Sequence, residues 1–417
     1  MTLAGSALNG VSGRRYTVGP RLSEGGQGVI HRATDTSSGR AGVVKIFRPE
    51  LSGPAIRERT RYLVSVSDRL YRECPVLCLP ADAIERPRGC LGYFSPLADG
   101  ETWESFLAAA DFTFLQGIQA GVAVAHGVDV LERNGIAHGD LQSGNLMVER
   151  SGTAIRVRLI DFDNFVTRGL PPPPHLGQIM YLAPELREPG AGGRTSVPDV
   201  RSDRYALTVL LHEMVLLVHP ASGADDTAEE FREAMCLGRW RFDPVVPRVS
   251  GVKVGGYPSK VLNSELARLF RAGMSLDPGK RPEAARWKEA FLHAIRLIHV
   301  CEKCGGPDLV EEGKVRCPVC NKAYPVLSVE TSRGRRFRLD IGSTVIGRDD
   351  LGGAPAVSER HAVFIRRGPE TWLEPVGRNG TRRWNGHGWI RLRDGLRVLV
   401  QSGDRIKMAD VEVTVTA

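Results

Sequence analysis

Residues 136–148 read I-A-H-G-D-L-Q-S-G-N-L-M-V, and residues 157–163 read V-R-L-I-D-F-D. A polar turn holds Asp140 and Asn145, an apolar run follows it directly, and the second apolar strand ends on Asp161. Two apolar strands joined by a short polar turn are typical of a β-hairpin. The pattern therefore predicts that one mouth of a hairpin gathers two carboxylates and an amide, which are side chains that handle protons and metal ions.

These side chains suit phosphoryl transfer, because that reaction depends on positioning and charge neutralisation more than on covalent help from the protein. Their spacing is informative: Asn145 follows Asp140 by five residues, and Asp161 follows Asn145 by sixteen. The segment resembles the catalytic loop and metal-binding motif of the protein-kinase superfamily, in its bacterial serine/threonine branch. The resemblance implies that Asp140 acts as the catalytic base and that Asn145 and Asp161 hold Mg²⁺ on ATP. It gives His138 a structural role.

A glycine-rich turn precedes this segment in the chain. The sequence S-E-G-G-Q-G at 23–28 lies between two predicted strands, and A-G-V-V-K-I-F follows at 41–47. Glycines in such a turn let backbone N–H groups approach phosphates. The pair of segments resembles the nucleotide-covering loop and lysine strand of protein kinases, which pairs Lys45 with the ATP phosphates. The resemblance assigns nucleotide contacts to Ser23, Gly25, Gly26 and Gly28.

Protein kinases hold that lysine with a glutamate on the next helix, so the resemblance implies such a partner for Lys45. Residues 54–64 are compatible with a helix that has Pro54 near its first turn. Glu58 is the candidate partner and is counted among the catalytic residues, with Glu73 as the alternative. An ordinary surface ion pair is the other interpretation of Glu58.

Three later motifs resemble structural signatures of protein kinases. They are A-P-E at 183–185, S-D-R-Y-A-L at 202–207 and L-D-P-G-K-R-P at 276–282. The resemblance implies an ion pair between Glu185 and Arg281, and it makes Asp203 a brace for the catalytic loop. Aminoglycoside and choline kinases share the catalytic motifs but lack these three, so a small-molecule kinase is the less favoured alternative.

The resemblance implies an α+β fold with two lobes over residues 14–298. The N-terminal lobe is expected at 14–95 and the C-terminal lobe at 96–298. The function implied is that of an ATP-dependent serine/threonine kinase that acts on a protein substrate.

Several positions depart from the family pattern. Gln142 replaces a lysine that neutralises the transferred phosphoryl group, Asp163 replaces the glycine of D-F-G, and Gln178 lies where serine/threonine kinases have a threonine. These changes support a second hypothesis, a catalytically weak pseudokinase scaffold that binds nucleotide. Gly139 replaces the arginine that receives a phosphorylated activation loop, and Thr167 is the one hydroxyl residue between Asp163 and Tyr181. We therefore predict that loop phosphorylation is not required for activity.

A small cysteine-rich segment is expected over residues 299–326. Two C-x-x-C pairs are separated by twelve residues, a spacing that suits tetrahedral Zn²⁺ in a structural ribbon. The predicted ligands are Cys301, Cys304, Cys317 and Cys320. A redox-active dithiol is the alternative. The remaining cysteines share no spacing and are expected to be buried thiols, and they are Cys74, Cys78, Cys90 and Cys236.

Residues 327–417 alternate apolar and polar side chains in short segments, which predicts an all-β sandwich. The loops I-G-R, V-S-E-R-H-A, R-N-G-T-R-R-W-N-G and L-V-Q-S-G-D-R-I, in that order, resemble those of a forkhead-associated domain, a reader of phosphothreonine peptides. The resemblance assigns Arg348 and Ser358 to the phosphate, Asn379 to the peptide backbone and Thr381 to an added contact. It gives His361 an internal hydrogen bond. A phosphothreonine-containing protein is therefore an expected partner.

Composition places few limits on function. The chain has 417 residues and a net charge of +8, and a basic surface suits an anionic partner. No basic run with interleaved aromatics indicates nucleic acid, which is not an expected partner. No run of 18 apolar residues and no signal-peptide pattern is found. We therefore expect a cytoplasmic protein without a membrane partner. Residues 1–13 are expected to form a disordered tail.

Overall fold

The computed structural model describes residues 3–85, 91–109, 111–152, 154–173, 175–187, 197–223, 226–245, 256–311 and 313–417. These residues form two compact units. The first unit comprises Met1–Ser259 and Glu265–Ile295, and the second unit comprises Lys260–Ser264 and Arg296–Ala417. The predicted ribbon and the predicted sandwich both belong to the second unit.

The first unit begins with an antiparallel sheet of six strands. They are β1 (Ala7–Asn9), β2 (Arg15–Glu24), β3 (Gly28–Asp35), β4 (Ala41–Phe47), β5 (Asp82–Glu85) and β6 (Leu91–Pro96). Their spatial order is β1-β2-β3-β4-β6-β5. Alternate side chains meet in an apolar core that includes Tyr16, Val44 and Phe94. Lys45 on β4 lies opposite Tyr93 on β6, so the register of the sheet fixes the position of the lysine.

The expectation of a disordered tail at 1–13 is wrong for the described part of that segment. β1 pairs with β2, with Leu8 opposite Tyr16, and Leu8 is buried in the core of the sheet. Ser12 donates hydrogen bonds to Asp82 from its backbone N–H at 3.1 Å and from its hydroxyl at 2.5 Å. One apolar side chain and one polar anchor therefore order a segment that shows no periodicity.

Five short strands follow in the first unit. They are β7 (Glu101–Thr102), β8 (Ile136–Ala137), β9 (Leu146–Ser151), β10 (Ala154–Leu159) and β11 (Val166–Thr167). β9 and β10 form the hairpin that the sequence predicts, with Leu146 opposite Leu159. β7 extends it to three strands, and β8 pairs with β11. The Ile160 N–H donates to the Asn145 carbonyl at 2.9 Å, which brings the two ends of the hairpin together.

The described residues also form seven helices, apart from short 3-10 turns. They are α1 (Pro54–Glu73), α2 (Trp103–Ala108), α3 (Phe114–Arg133), α4 (Val200–Leu216), α5 (Ala228–Cys236), α6 (Ser264–Gly273) and α7 (Ala284–Ile295). Thr113 and Gln116 form a capping box that starts α3. By length and composition, α3 is the one described helix that could span a membrane, but most of it is buried in the first unit. Its contacts with α4 and α7 make it a core helix.

The second unit begins with a two-stranded ribbon, β12 (Ile298–Val300) paired with β13 (Pro307–Leu309). Asp308 is fully buried and is bound from two sides. The Tyr324 hydroxyl donates to Asp308 Oδ2 at 2.7 Å, and Lys314 Nζ donates to Oδ1 at 2.5 Å. These bonds hold the loop that carries the second cysteine pair against the ribbon.

Ten further strands form two antiparallel sheets. They are β14 (Ser328–Thr331), β15 (Arg336–Arg338), β16 (Gly342–Ile346), β17 (Ala362–Arg367), β18 (Glu370–Pro375), β19 (Thr381–Trp384), β20 (Trp389–Arg391), β21 (Val398–Val400), β22 (Arg405–Met408) and β23 (Val411–Thr416). The spatial orders are β15-β14-β23-β22-β19-β20 and β16-β17-β18-β21. Both sheets contribute to one apolar core, in which Val329, Phe364 and Ile406 are buried. The all-β sandwich predicted from the alternation is the observed architecture.

Candidate functional site

A cleft of about 600 Å³ opens beneath the glycine-rich turn of the first unit. Seven of the residues that the sequence assigns to nucleotide or catalysis line this cleft, and they are Ser23, Gly25, Gly26, Gly28, Lys45, Asp140 and Asp161. The turn joins β2 to β3, and Gln27 at its tip donates to Asn164 Oδ1 at 2.9 Å. A side-chain hydrogen bond therefore holds the tip where the family has an aromatic residue.

Lys45 lies between two carboxylates. Its Nζ donates to Asp161 Oδ1 at 3.0 Å and forms an ion pair with Asp163 Oδ2. Lys45 is 5% exposed, and burial by itself would lower the pKa of its ammonium. The charges of Asp163 and Asp161 outweigh this effect and raise the pKa of Lys45, so the lysine stays charged.

The predicted glutamate partners of Lys45 are both wrong. Glu58 is exposed on α1, and Glu73 pairs with Arg133 at 2.7 Å. The buried face of α1 carries Arg59, Leu63, Ser67 and Leu70. Because one residue along a helix corresponds to a turn of about 100°, Glu58 points away from the face that Arg59 occupies.

Arg59 is 2% exposed, and its guanidinium binds backbone carbonyls of the segment that follows the hairpin. It donates to Pro171 O at 2.8 Å, to Asp163 O at 2.9 Å and also to Phe165 O. The guanidinium carbon lies 4.3 Å from the centroid of the Phe165 ring, a distance that suits a cation–π contact. The helix is therefore fastened to this segment by an arginine.

Asp163 is as buried as Lys45, with 5% of its side chain exposed. The Tyr93 hydroxyl donates to Asp163 Oδ1 at 2.9 Å. Burial raises the pKa of Asp163, and the nearby ammonium of Lys45 opposes that rise. Burial also raises the pKa of Tyr93 well above its usual value, so its hydroxyl stays protonated and able to donate.

The Asp140 carboxylate accepts hydrogen bonds from three sides. Asn145 Nδ2 donates to Asp140 O at 2.8 Å and to Oδ2 at 3.3 Å. Gln142 Nε2 donates to Oδ1 at 2.8 Å, and the backbone N–H of Gln178 donates to the same oxygen at 3.0 Å. Two of the residues that depart from the family pattern therefore contact the predicted base directly.

Asp203 braces the loop that carries Asp140. Its carboxylate accepts the backbone N–H groups of His138 and Gly139. Burial raises the pKa of Asp203 to about 7, although both N–H bonds oppose the shift. Gly139 has φ +76°, and a Cβ there would lie 2.2 Å from Asn164 O, so the position that carries an arginine in many kinases accepts only glycine here.

His138 is fully buried, and Phe162 packs on its ring at a centroid distance of 4.6 Å. Burial lowers the pKa of His138, which keeps the ring neutral. Asp161 has φ +59°, a left-handed conformation that costs a non-glycine residue about 1 kcal/mol or more. The bond from Lys45 helps to hold this strained residue in place.

Glu185 and Arg281 form a bidentate ion pair, with both N–O distances 2.7 Å. The Arg281 side chain is fully buried, so the pair ties the segment after the hairpin to the loop before α7. The structure brings these residues together as the resemblance implies.

The four predicted zinc ligands form one cluster in the second unit. The Sγ atoms of Cys301, Cys304, Cys317 and Cys320 all lie within 4.8 Å of one another. Backbone N–H groups of Cys304 and Lys303 lower the pKa of Cys301 to about 7, which favours its thiolate. Burial raises the pKa of Cys317, and burial and the neighbouring thiols raise that of Cys304 despite the bond from the Gly306 N–H, so the support for a metal comes from the geometry of the four sulfurs. This donor set fits a tetrahedral ion with four thiolate ligands. Of the other cysteines, Cys74 and Cys78 are buried, Cys236 is half-buried and Cys90 lies outside the described residues.

His361 connects the loops at one end of the sandwich. It is fully buried, its Nδ1 accepts the Ser358 N–H at 3.1 Å, and its Nε2 lies 3.1 Å from Gly380 O. Asn379 Nδ2 donates to Ala356 O at 2.6 Å. The loops before β17 and β19 are therefore linked through side chains.

Arg348 and Ser358 lie in the same loop cluster. The Arg348 Nε donates to Val357 O at 2.9 Å, and its backbone N–H donates to Ser358 O at 3.0 Å. Ser358 Oγ accepts the Arg378 N–H at 3.1 Å. Thr381 is fully buried, and its hydroxyl has no partner among the described groups. The prediction that Thr381 contacts a peptide is therefore wrong, because its position at the start of β19 turns it into the core.

Sequence reasoning missed Arg59 and Tyr93, and it noted Asp163 only as a departure from the family. An arginine on the apolar face of α1, four residues before Leu63, was the available signal. Tyr93 gave no signal of its own, because a tyrosine in an apolar strand is ordinary core material.

Comparisons with known proteins agree with the geometry of the first unit. A family model described as protein kinase domain matches residues 16–293. A probable serine/threonine-protein kinase from Streptomyces coelicolor is 25% identical over 251 residues, which cover 57% of this chain and 34% of that protein. The probable kinase PknB of Bifidobacterium longum is 26% identical over 231 residues, or 51% and 32% of the two chains.

A relative outside bacteria is also similar to this chain. Smooth-muscle myosin light chain kinase from Gallus gallus is 24% identical over 230 residues, which cover 55% of this chain and 11% of that protein. The matched part of this chain spans about a third of the length of each of the two bacterial relatives. These matches account for the first unit.

Proposed function

Because the chain belongs to the protein kinase family, we propose that it transfers the γ-phosphoryl group of ATP to serine or threonine residues of a protein substrate. The observation that carries this proposal is the cleft beneath the glycine-rich turn, where Lys45, Asp140 and Asp161 face one space. An ammonium for the phosphates, a carboxylate for the substrate hydroxyl and a carboxylate for the metal are the groups that phosphoryl transfer needs.

Asn145 and Asp161 would hold Mg²⁺, which neutralises charge on the phosphates when it is bound. The donor set fits, because carboxylate and amide oxygens are the ligands that Mg²⁺ takes from proteins. The Nδ2 of Asn145 donates a hydrogen bond to Asp140, which leaves the amide oxygen to coordinate the cation.

The second candidate is a scaffold that binds nucleotide without transfer. One observation favours it: Asp140 Oδ1 already accepts bonds from Gln142 and Gln178, so a substrate hydroxyl has to displace one of them or bind Oδ2, which accepts one bond from Asn145 at 3.3 Å. The retained Lys45 and Asp161 favour the kinase, because a scaffold needs no strained metal ligand at φ +59°.

Transfer of radiolabel from ATP to a generic protein substrate separates the two candidates, with Asp140→Ala as the control. The kinase proposal expects label in the parent protein and at least a hundredfold less in the variant, a loss typical of a catalytic acid or base. Equal labelling of both proteins, or none in either, would establish the scaffold.

The second unit supports two further proposals. The cysteine cluster binds Zn²⁺ as a structural ion, since four thiolates leave no open coordination position.

The loop cluster binds phosphothreonine in a partner protein, in the manner of a forkhead-associated domain. Its support is Arg348, whose terminal guanidinium nitrogens have no partner among the described residues while Nε is anchored to Val357 O. An anchored guanidinium with free donors suits a phosphate.

A further inference from the structure

We infer that Asp163 is the positioning residue of Lys45 in phosphoryl transfer, and that Arg59 holds helix α1 in place of an acidic residue. The carboxylate that orients the lysine therefore comes from the same segment as the metal ligand Asp161, and not from the helix. This inference rests on the proposed kinase function.

Both oxygens of the Asp163 carboxylate have partners. One oxygen pairs with Lys45, and the other accepts the Tyr93 hydroxyl at 2.9 Å. Tyr93 lies directly opposite Lys45 in the β4–β6 register. The two neighbouring strands therefore supply one donor each, and the carboxylate is fixed from both sides.

The Lys45–Asp163 pair is largely shielded from solvent. The Lys45 and Asp163 side chains are 6% and 5% exposed, so solvent screens their attraction little. A buried carboxylate without a partner is strongly unfavourable. Asp163 has Lys45 and Tyr93 as its partners, which means that its placement and the placement of the ammonium depend on each other.

Helix α1 contributes an arginine to this region. Where an acidic side chain would have to point at Lys45, the buried face of the helix presents Arg59. A second cation beside Lys45 would repel it, but the Arg59 guanidinium binds carbonyls at Asp163, Phe165 and Pro171. Tyr62 adds a ring stack on Phe165 with centroids 5.8 Å apart. The helix is thus bound to the backbone that carries Asp163.

A consequence follows for regulation. When a helix glutamate orients the lysine, rotation of the helix can switch the ion pair off. Here Asp161 and Asp163 are two residues apart, so one placement of the backbone positions both carboxylates. Arg59 orders that backbone without a phosphate group. The arrangement needs no phosphorylated residue to assemble.

A double-mutant cycle tests the inference. The probe is the magnesium complex of a non-hydrolysable ATP analogue, and its affinity is measured by calorimetry. Asp163→Asn is expected to weaken binding about tenfold in the parent chain and less than twofold in a Lys45→Ala background, because contacting residues that act as a unit are not additive. Equal weakening in both backgrounds would mean that Asp163 acts only on stability, and it would overturn the inference.

Three single variants strengthen the test. Glu58→Gln, on the exposed face of α1, is expected to match Asp68→Asn, an exposed carboxylate of the same helix, with nucleotide affinity within twofold of the parent. A tenfold loss of nucleotide affinity in Glu58→Gln would show that the acidic partner of Lys45 is Glu58 on α1. If Asp163→Asn does not fold, Tyr93→Phe replaces it, with an expected loss of about fivefold that disappears in the Lys45→Ala background.

Turnover gives the second measurement. Asp163→Asn is expected to lower kcat about a hundredfold. A substitution that only unfolded a fraction of the protein would instead leave the KM for ATP unchanged and reduce the number of active sites by that fraction. The binding cycle does not depend on turnover. A parent chain that binds the analogue with the expected coupling but transfers no phosphate would therefore overturn the proposed function and leave the Lys45–Asp163 pair established.

Discussion

In the first unit, Lys45 lies between Asp161 and Asp163, whereas in the second unit the Arg348 Nε is held by a backbone carbonyl. The lysine is buried and its charge is compensated within the protein. The arginine is half-buried, and its remaining donors have no partner among the described residues. One site is assembled from mutually paired charges, and the other keeps a charge available.

The difference indicates how each site responds to mutation. Removal of one member of a buried ion pair leaves the other uncompensated, so it affects the fold and the function together. Removal of a charge that is anchored only through Nε affects ligand binding alone. Variants and conditions that act on one unit while sparing the other therefore test the comparison.

Removal of metal is expected to have the largest effect, and to act on the second unit. A chelator should unfold the ribbon, since zinc binding contributes about 10 kcal/mol or more in small zinc domains. Scanning calorimetry of the full chain should show the transition of the second unit lost or shifted down and that of the first unit unchanged. Restored zinc should reverse the change, and an unchanged thermogram with chelator would exclude a structural metal.

Asp161→Asn is expected to lower kcat for phosphoryl transfer about a thousandfold, because it removes a metal ligand and a partner of Lys45 in one step. Phosphopeptide affinity should stay unchanged, since Arg348 belongs to the other unit. Steady-state kinetics and a fluorescence titration measure the two properties. A variant that retains a tenth of the parent rate would contradict the assignment of Asp161.

Glu213 provides a pH test confined to the first unit. Burial raises its pKa to about 7, against an ordinary value of 4.5 and despite the bond from Tyr181. The folded state therefore binds a proton between about pH 4.5 and pH 7 that the unfolded state has lost, so stability falls as pH rises through this window. Urea titrations measure the free energy of unfolding, and its decrease from pH 4.5 to pH 7 should be about 3 kcal/mol smaller in Glu213→Gln than in the parent. If the free energy of unfolding depended on pH in the same way in Glu213→Gln and in the parent, the raised pKa of Glu213 would be refuted.

Arg348→Ala is expected to weaken binding of a phosphothreonine peptide about a hundredfold, the loss typical of a charge-assisted hydrogen bond to phosphate. Magnesium–ATP affinity should be unaffected. Arg378→Ala, an exposed arginine of the same loop cluster, is the matched control for charge and should lose less than fivefold. Equal losses in the two variants would indicate binding to a diffuse basic surface.

Thr167→Ala should have the smallest effect. Thr167 lies in β11, and its hydroxyl donates to Gly135 O at 3.1 Å, while Arg59 orders the same segment. Transfer activity within about twofold of the parent is expected, since surface substitutions away from special features are nearly neutral. Activity reduced tenfold or more, and restored by Thr167→Glu, would show that phosphorylation of this loop is required.

The sequence predicts most of what short-range patterns determine. The hairpin β9–β10, the glycine-rich turn and the sandwich each follow from alternation and turn residues. The residues 136–163 also predict which side chains meet at the cleft. Such contacts lie close to one another along the chain or at the ends of regular strands.

The errors concern contacts between distant segments. The sequence favours Glu58 as the partner of Lys45, but Arg59 lies on the buried face of α1 and binds carbonyls more than a hundred positions away. Leu8 orders a segment of otherwise loop-like composition by filling a space in the core. Thr381 lies opposite the buried Met408 in the β19–β22 register, so its side chain faces the core. Periodicity does not reveal which way such a side chain faces.

The central claim is that Lys45, Asp140, Asn145 and Asp161 form a site for a magnesium nucleotide. Calorimetric titration of the full chain with magnesium ATP tests it most directly. Saturable heat with one site per chain is expected, with affinity strongly weakened when magnesium is omitted and weakened at least tenfold, but still measurable, in Lys45→Ala. A folded protein that gives no heat, or that binds equally well in Lys45→Ala, would contradict it.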